Sequence, residues 1–119
     1  MITLKTLEDA TEQEVFNQVA NHLLTQNEKS TNTTGVCLYK SVINGKTLKC
    51  AAGCLIGDDE YLSEFENNKW IHLGYEGLVP KYHLNLIRDL QCIHDNYNPN
   101  EWYLRLKYLA IKYNLTFNY

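Results

Sequence analysis

Apolar residues recur along the chain in stretches separated by short polar gaps, and their spacing changes from one stretch to the next. Val15, Phe16, Val19, Ala20, Leu23 and Leu24 fall on one face at helical spacing. Thr11-Glu12-Gln13-Glu14 in front of them has the capping-box pattern, in which hydroxyl and carboxylate satisfy each other's backbone amides. A helix is expected from about Glu12 to Gln26. Glu28 to Thr34 is small and polar and reads as an exposed loop. Val36 to Ile43 is rich in β-formers, Asn44-Gly45 follows, and then Lys46-Thr47-Leu48-Lys49. Asn-Gly between two such runs predicts a hairpin, because both central residues of a type I′ turn need positive φ. A lone two-stranded hairpin is marginal. One of its faces must therefore lie on helices or pair with another chain.

Cys50-Ala51-Ala52-Gly53-Cys54-Leu55-Ile56-Gly57 fits two descriptions, a continued strand or a short buried helix. The acids after it suggest a turn into a short helix near Asp59 to Phe65, with negative charge at its favourable end. Asn67 to Gly77 reads as a loop carrying Trp70, His72 and Tyr75. Pro80 is expected at the start of the next helix, where its missing N–H costs nothing. Leu84, Leu86, Ile87, Leu90 and Ile93 form the apolar face of that helix down to Asn96. Asn98-Pro99-Asn100-Glu101 opens another, with Trp102, Leu106, Leu109, Ala110 and Tyr113 on one face. Asn114 can take a left-handed cap, and Leu115 can fold back over the last turn. The pattern is α+β: a mostly helical single domain, residues 1–119, with three main helices packed on a small antiparallel β-hairpin.

Composition narrows the function classes. With 119 residues, 45% hydrophobic and 21% charged, the chain is long enough for one real core. No apolar run approaches the ~20 residues that span a bilayer, so no membrane is expected. Met1-Ile2-Thr3-Leu4-Lys5 lacks the plan of a signal peptide, which makes the cytoplasm the expected location. The net charge is −3 and the cations are scattered, so nucleic acid is not an expected partner. The four cysteines show no Cys-x-x-Cys pair and are expected as reduced thiols. Nine tyrosines, two tryptophans and three phenylalanines suit a ligand pocket or an interface, or a core that uses tyrosine at its rim.

Cys37-Leu38-Tyr39, Gly45, Lys49-Cys50-Ala51-Ala52-Gly53-Cys54-Leu55-Ile56 and Asp59-Glu60-Tyr61 together resemble a small family of phage, prophage and bacterial proteins. The shared pattern is Cys-x-Tyr, a turn, Lys-Cys-Ala-x-Gly-x-Leu-Ile, and an acid shortly before Tyr. Leu90 to Asp95 and Trp102 with Leu109-Ala110 are similar to it as well. The resemblance implies a phage-encoded accessory protein in a bacterial host cytoplasm and carries no activity.

Several constellations could carry chemistry, each with a plainer alternative. Cys37, Cys50 and Cys54, with His72 or Cys92, could hold zinc, but their spacing is poor for it and buried structural thiols are the plainer reading. Cys50 beside Lys49 could be a nucleophile with His72 or His94 as base, though nothing in the sequence fixes that geometry. Asp58, Asp59 and Glu60 could hold Mg²⁺, or simply face a helix dipole. No phosphate-loop pattern is present. Bare amides near Cys50 to Cys54 could still receive an anion beside Lys46 and Lys49.

The leading expectation is a non-catalytic protein that binds a small anionic, nucleotide-like ligand, such as a host immune signal in a counter-defence role. The expected binding residues are Lys46, Lys49, Cys50, Gly53, Asp59, Tyr61 and Trp70, around a pocket between the hairpin, the small-residue segment and the Trp70 loop. No cofactor or metal is expected. The alternative is an adaptor or inhibitor of a host protein that uses its tyrosines and a hairpin edge, which would also allow a homodimer. A thiol- or zinc-dependent enzyme is the third reading.

Overall fold

The computed structural model describes residues 1–118. In chain order its main elements are α1 (Glu12–Gln26), β1 (Lys40–Ile43), β2 (Lys46–Lys49), a 3-10 helix (Ala52–Leu55), α2 (Trp70–Tyr75), α3 (Leu84–Asn96) and α4 (Pro99–Lys112). Shorter 3-10 turns cover Leu7–Asp9 and Ser63–Phe65. The architecture is α+β and mostly helical: α1, α3 and α4 pack on one another around one core, and the antiparallel hairpin lies beside it. No helix among the described residues is long and apolar enough to cross a membrane.

Local chemistry explains the long elements. The Thr11 hydroxyl accepts from the Glu14 amide at 3.1 Å, and the Glu14 carboxylate accepts from the Thr11 amide at 2.9 Å. Asn27, at φ 52, closes α1. α4 opens on the Asn98–Glu101 capping box and Pro99. It ends in a Schellman motif: Asn114 (φ 56) donates to the Ile111 carbonyl and Leu115 to the Ala110 carbonyl. Asn44 and Gly45, both at positive φ, make the hairpin turn. Ser41 pairs with Leu48 on the buried face, and Val42 with Thr47 on the exposed one.

The small-residue segment is packed interior. Cys50, Ala51, Ala52 and Leu55 are fully buried, at 0% exposure. A Cβ on Gly53 would lie 2.0 Å from the Tyr39 carbonyl oxygen, so only glycine lets this turn sit against the backbone entering β1.

Five expectations are corrected. The strand begins at Lys40, not Val36, because Cys37 instead makes an isolated bridge with Thr31. The run 28–34 is not uniformly exposed, since Ser30 is fully buried. The helix expected near Asp59–Phe65 shrinks to the 3-10 turn at Ser63–Phe65, and Asp58–Glu60 stays a turn. There the Glu60 carboxylate accepts from the amides of Gly57, Leu4 and Lys5, which holds a tight turn. The expected loop over Asn67–Gly77 contains α2, whose Trp70, Leu73 and Gly74 are buried. Pro80 does not start α3. That helix begins at Leu84, after His83 at φ 60, whose ring donates to the Ala10 carbonyl at 2.7 Å.

Candidate functional site: a charged cleft beside the third helix

A cleft of about 370 Å³ opens between Cys37–Tyr39, the run 66–70 and one face of α3. That volume is in the range of small-molecule sites. Arg88, Gln91, Cys92 and Asp95 line it from α3 at helical spacing, next to the buried stripe of Leu86, Leu90 and Ile93. Glu66, Asn67, Asn68 and Lys69 supply the opposite wall.

The acids of the cleft are already satisfied from within. Glu66 accepts from the amides of Tyr39 (2.9 Å) and Lys40 (3.3 Å) and from the Tyr61 hydroxyl (2.7 Å). Asp95 accepts from Gln91 Nε2 at 2.9 Å, from His94 Nδ1 at 2.7 Å and from the Cys37 thiol. The cations are freer. Among the described residues the Lys69 ammonium has no partner, and Arg88 spends only its Nε, on Asp89 at 3.1 Å. The groups left open to a ligand are therefore the cations, while Glu66 and Asp95 keep their charge behind filled acceptors.

His94 is fully buried, and its tautomer follows from its neighbours. The Ser30 amide donates to Nε2 at 3.0 Å, so Nε2 carries the lone pair and Nδ1 the proton given to Asp95. The ring stacks on Trp102 with centroids 5.5 Å apart. Behind it, the Ser30 hydroxyl meets the Ser41 hydroxyl at 2.9 Å and donates to the Leu48 carbonyl at 3.2 Å. A continuous buried polar chain thus runs from the hairpin to the floor of the cleft.

This arrangement does not suit thiol or metal chemistry. Burial, with the Asp95 carboxylate adding to it, pushes the Cys37 thiol up to about 11. Burial pushes Cys54 up to about 12 and raises Cys50 further. None has the lowered thiol a nucleophile needs. One donor atom each from Cys37, His94 and Asp95 lies within 4.8 Å of the others, a zinc-like set. The His94 lone pair, however, already holds the buried Ser30 amide, and a metal at Nδ1 would force N–H against N–H.

The structure disperses the residues expected to bind ligand. Trp70 lines the cleft, but it is 2% exposed, and its Nε1 has no hydrogen-bond partner among the described residues. Tyr61 reaches the cleft only through Glu66. Lys46 pairs with Glu28 beside a second recess of about 410 Å³ that also touches His22 and Cys54. Lys49 pairs with Asp58 at 3.2 Å, and Asp59 with Lys5 at 2.7 Å. Cys50 and Gly53 are sealed behind Tyr39. The cleft is thus displaced from the expected pocket and excludes the small-residue segment. Sequence reasoning missed Lys69 and Arg88 and took Gln91 and Asp95 only as part of the run Leu90 to Asp95. The signal was there on α3, in polar residues four and three apart flanking the apolar face. No protein-family model, curated protein or solved structure matches this chain.

Proposed function

We propose that the protein is a non-catalytic binder of a small anionic ligand, nucleotide-like in size and charge, taken up in the cleft beside α3. One observation carries this reading: the acids of the cleft are internally satisfied while Lys69 and the terminal nitrogens of Arg88 are not. Tyr39 and Trp70 add aromatic wall. The raised thiols speak against a thiol enzyme. Docking by strand addition is restricted at the base of the hairpin, where Glu66 takes the amides of Tyr39 and Lys40, and Gln26 takes that of Lys49. A counter-defence role in a phage-infected cell is supported by the family resemblance alone.

The test is calorimetry and thermal unfolding with adenosine monophosphate, cyclic nucleotides and inorganic phosphate. A ligand at one hundred times its Kd should stabilise the fold by about 2.7 kcal/mol. The Lys69→Glu, Arg88→Glu double variant should lose that shift and keep its own fold. Failure of every probe to bind sinks the reading.

A further inference from the structure

α4 is apolar on two opposite sides. Trp102, Leu106, Leu109 and Ala110 face the core. Leu104, Tyr108 and Ile111 lie on the other side, 48%, 54% and 69% exposed, with exposed Lys107 beside Tyr108 on the same face. A surface helix ordinarily turns polar residues outward, so exposed apolar residues grouped on that side mark a contact face. The same outward face begins near Glu101 and ends near Lys112, both exposed.

We propose that the outward face of α4 is the contact between two copies of this chain, paired antiparallel across a two-fold axis near Tyr108. The order of charges argues for a second copy as the occupant. Antiparallel self-pairing sets Glu101 of each copy against Lys112 of the other and Leu104 against Ile111, each contact made twice. It also aligns the two helix dipoles head to tail. A two-fold contact requires one patch that complements itself, and this face has that property. Lys112 already lies 3.0 Å from Asp89 of its own chain, so in the pair it would bridge two carboxylates. A tyrosine between aliphatic residues, with charge at the ends, has the make-up of an interface centre and rim.

Sedimentation equilibrium of the full chain, from micromolar to several hundred micromolar, tests this. The expected result is a reversible monomer–dimer equilibrium. Tyr108→Glu and Ile111→Lys should each raise the dissociation constant on the order of tenfold or more. Circular dichroism and the melting of the monomer should stay as in the parent, since both positions are exposed. A monomer at every concentration overturns the proposal and leaves the face to a different partner. A dimer that neither substitution weakens also overturns it.

Discussion

At the scale of single residues, the cysteines separate by environment rather than by neighbours in sequence. Cys50 is fully buried and its sulfur accepts from the Gly53 amide, while the Cys54 thiol donates to the Ala51 carbonyl. Cys37 is half-buried with its proton held toward Asp95. Cys92 alone is exposed. Thiolate is the reactive form, and burial disfavours it. A maleimide or aromatic disulfide reagent near neutral pH should therefore modify Cys92 quickly, Cys37 and Cys54 slowly, and Cys50 only on unfolding. Rapid modification of Cys50 in the native protein would contradict the packing described. The sequence, with no Cys-x-x-Cys pair, suggests reduced thiols, and all four are free in the structure. The sequence does not show which are sealed, because that depends on Tyr39, which is brought back over the segment by the hairpin.

At the scale of elements, α1 is tied to β2 by polar contacts that no periodicity reveals. The His22 ring nitrogen Nε2 lies 2.8 Å from the Lys49 carbonyl and donates to it, as does Gln26 Nε2. Burial holds His22 below the usual histidine range, with the Lys49 carbonyl opposing the shift. The unfolded chain therefore takes up the proton first as pH falls. The stability from neutral His22 is complete above about pH 6.5 and is lost as pH drops through the lowered value of the folded state. Denaturant titrations from pH 8 down to pH 5 should show this decline, and His22→Gln, which can keep the donor, should flatten it. An unchanged slope in the variant would remove His22 as its source. Elements with strong local signals were legible: the caps of α1 and α4, the Asn-Gly turn and the Asn114 stop each act within a few residues. α2 was not, because six residues are too few to show a period and its glycine resembled a loop signal. Gly74 is instead the space into which Leu84 packs, 2.8 Å from where a Cβ would stand.

At the scale of the whole molecule, the cleft joins parts of the chain remote in sequence, Cys37–Tyr39, the run 66–70 and α3. No local pattern could place those walls together, whereas the polar side of α3 was readable. The small-residue segment drew attention as a site and is instead packed interior against Tyr39. Gly53→Ala would drive a methyl group into the Tyr39 backbone, where no flexible side chain can yield. Overpacking of this kind costs about 1–3 kcal/mol, occasionally more. Chemical denaturation should show a loss of that size, and any ligand of the cleft should bind more weakly because Tyr39 is displaced. Parent-like stability would mean that the two segments can separate freely.

The buried row from Ser30 through His94 has one sense, since the Ser30 amide donates to His94 Nε2 and His94 Nδ1 donates to Asp95. It delivers hydrogen to Asp95 at the bottom of the cleft, while Lys69 and Arg88 stand at its lip. The two depths therefore carry opposite signs. Under the proposed function, an acidic group on a guest molecule would stay outermost, against the two cations.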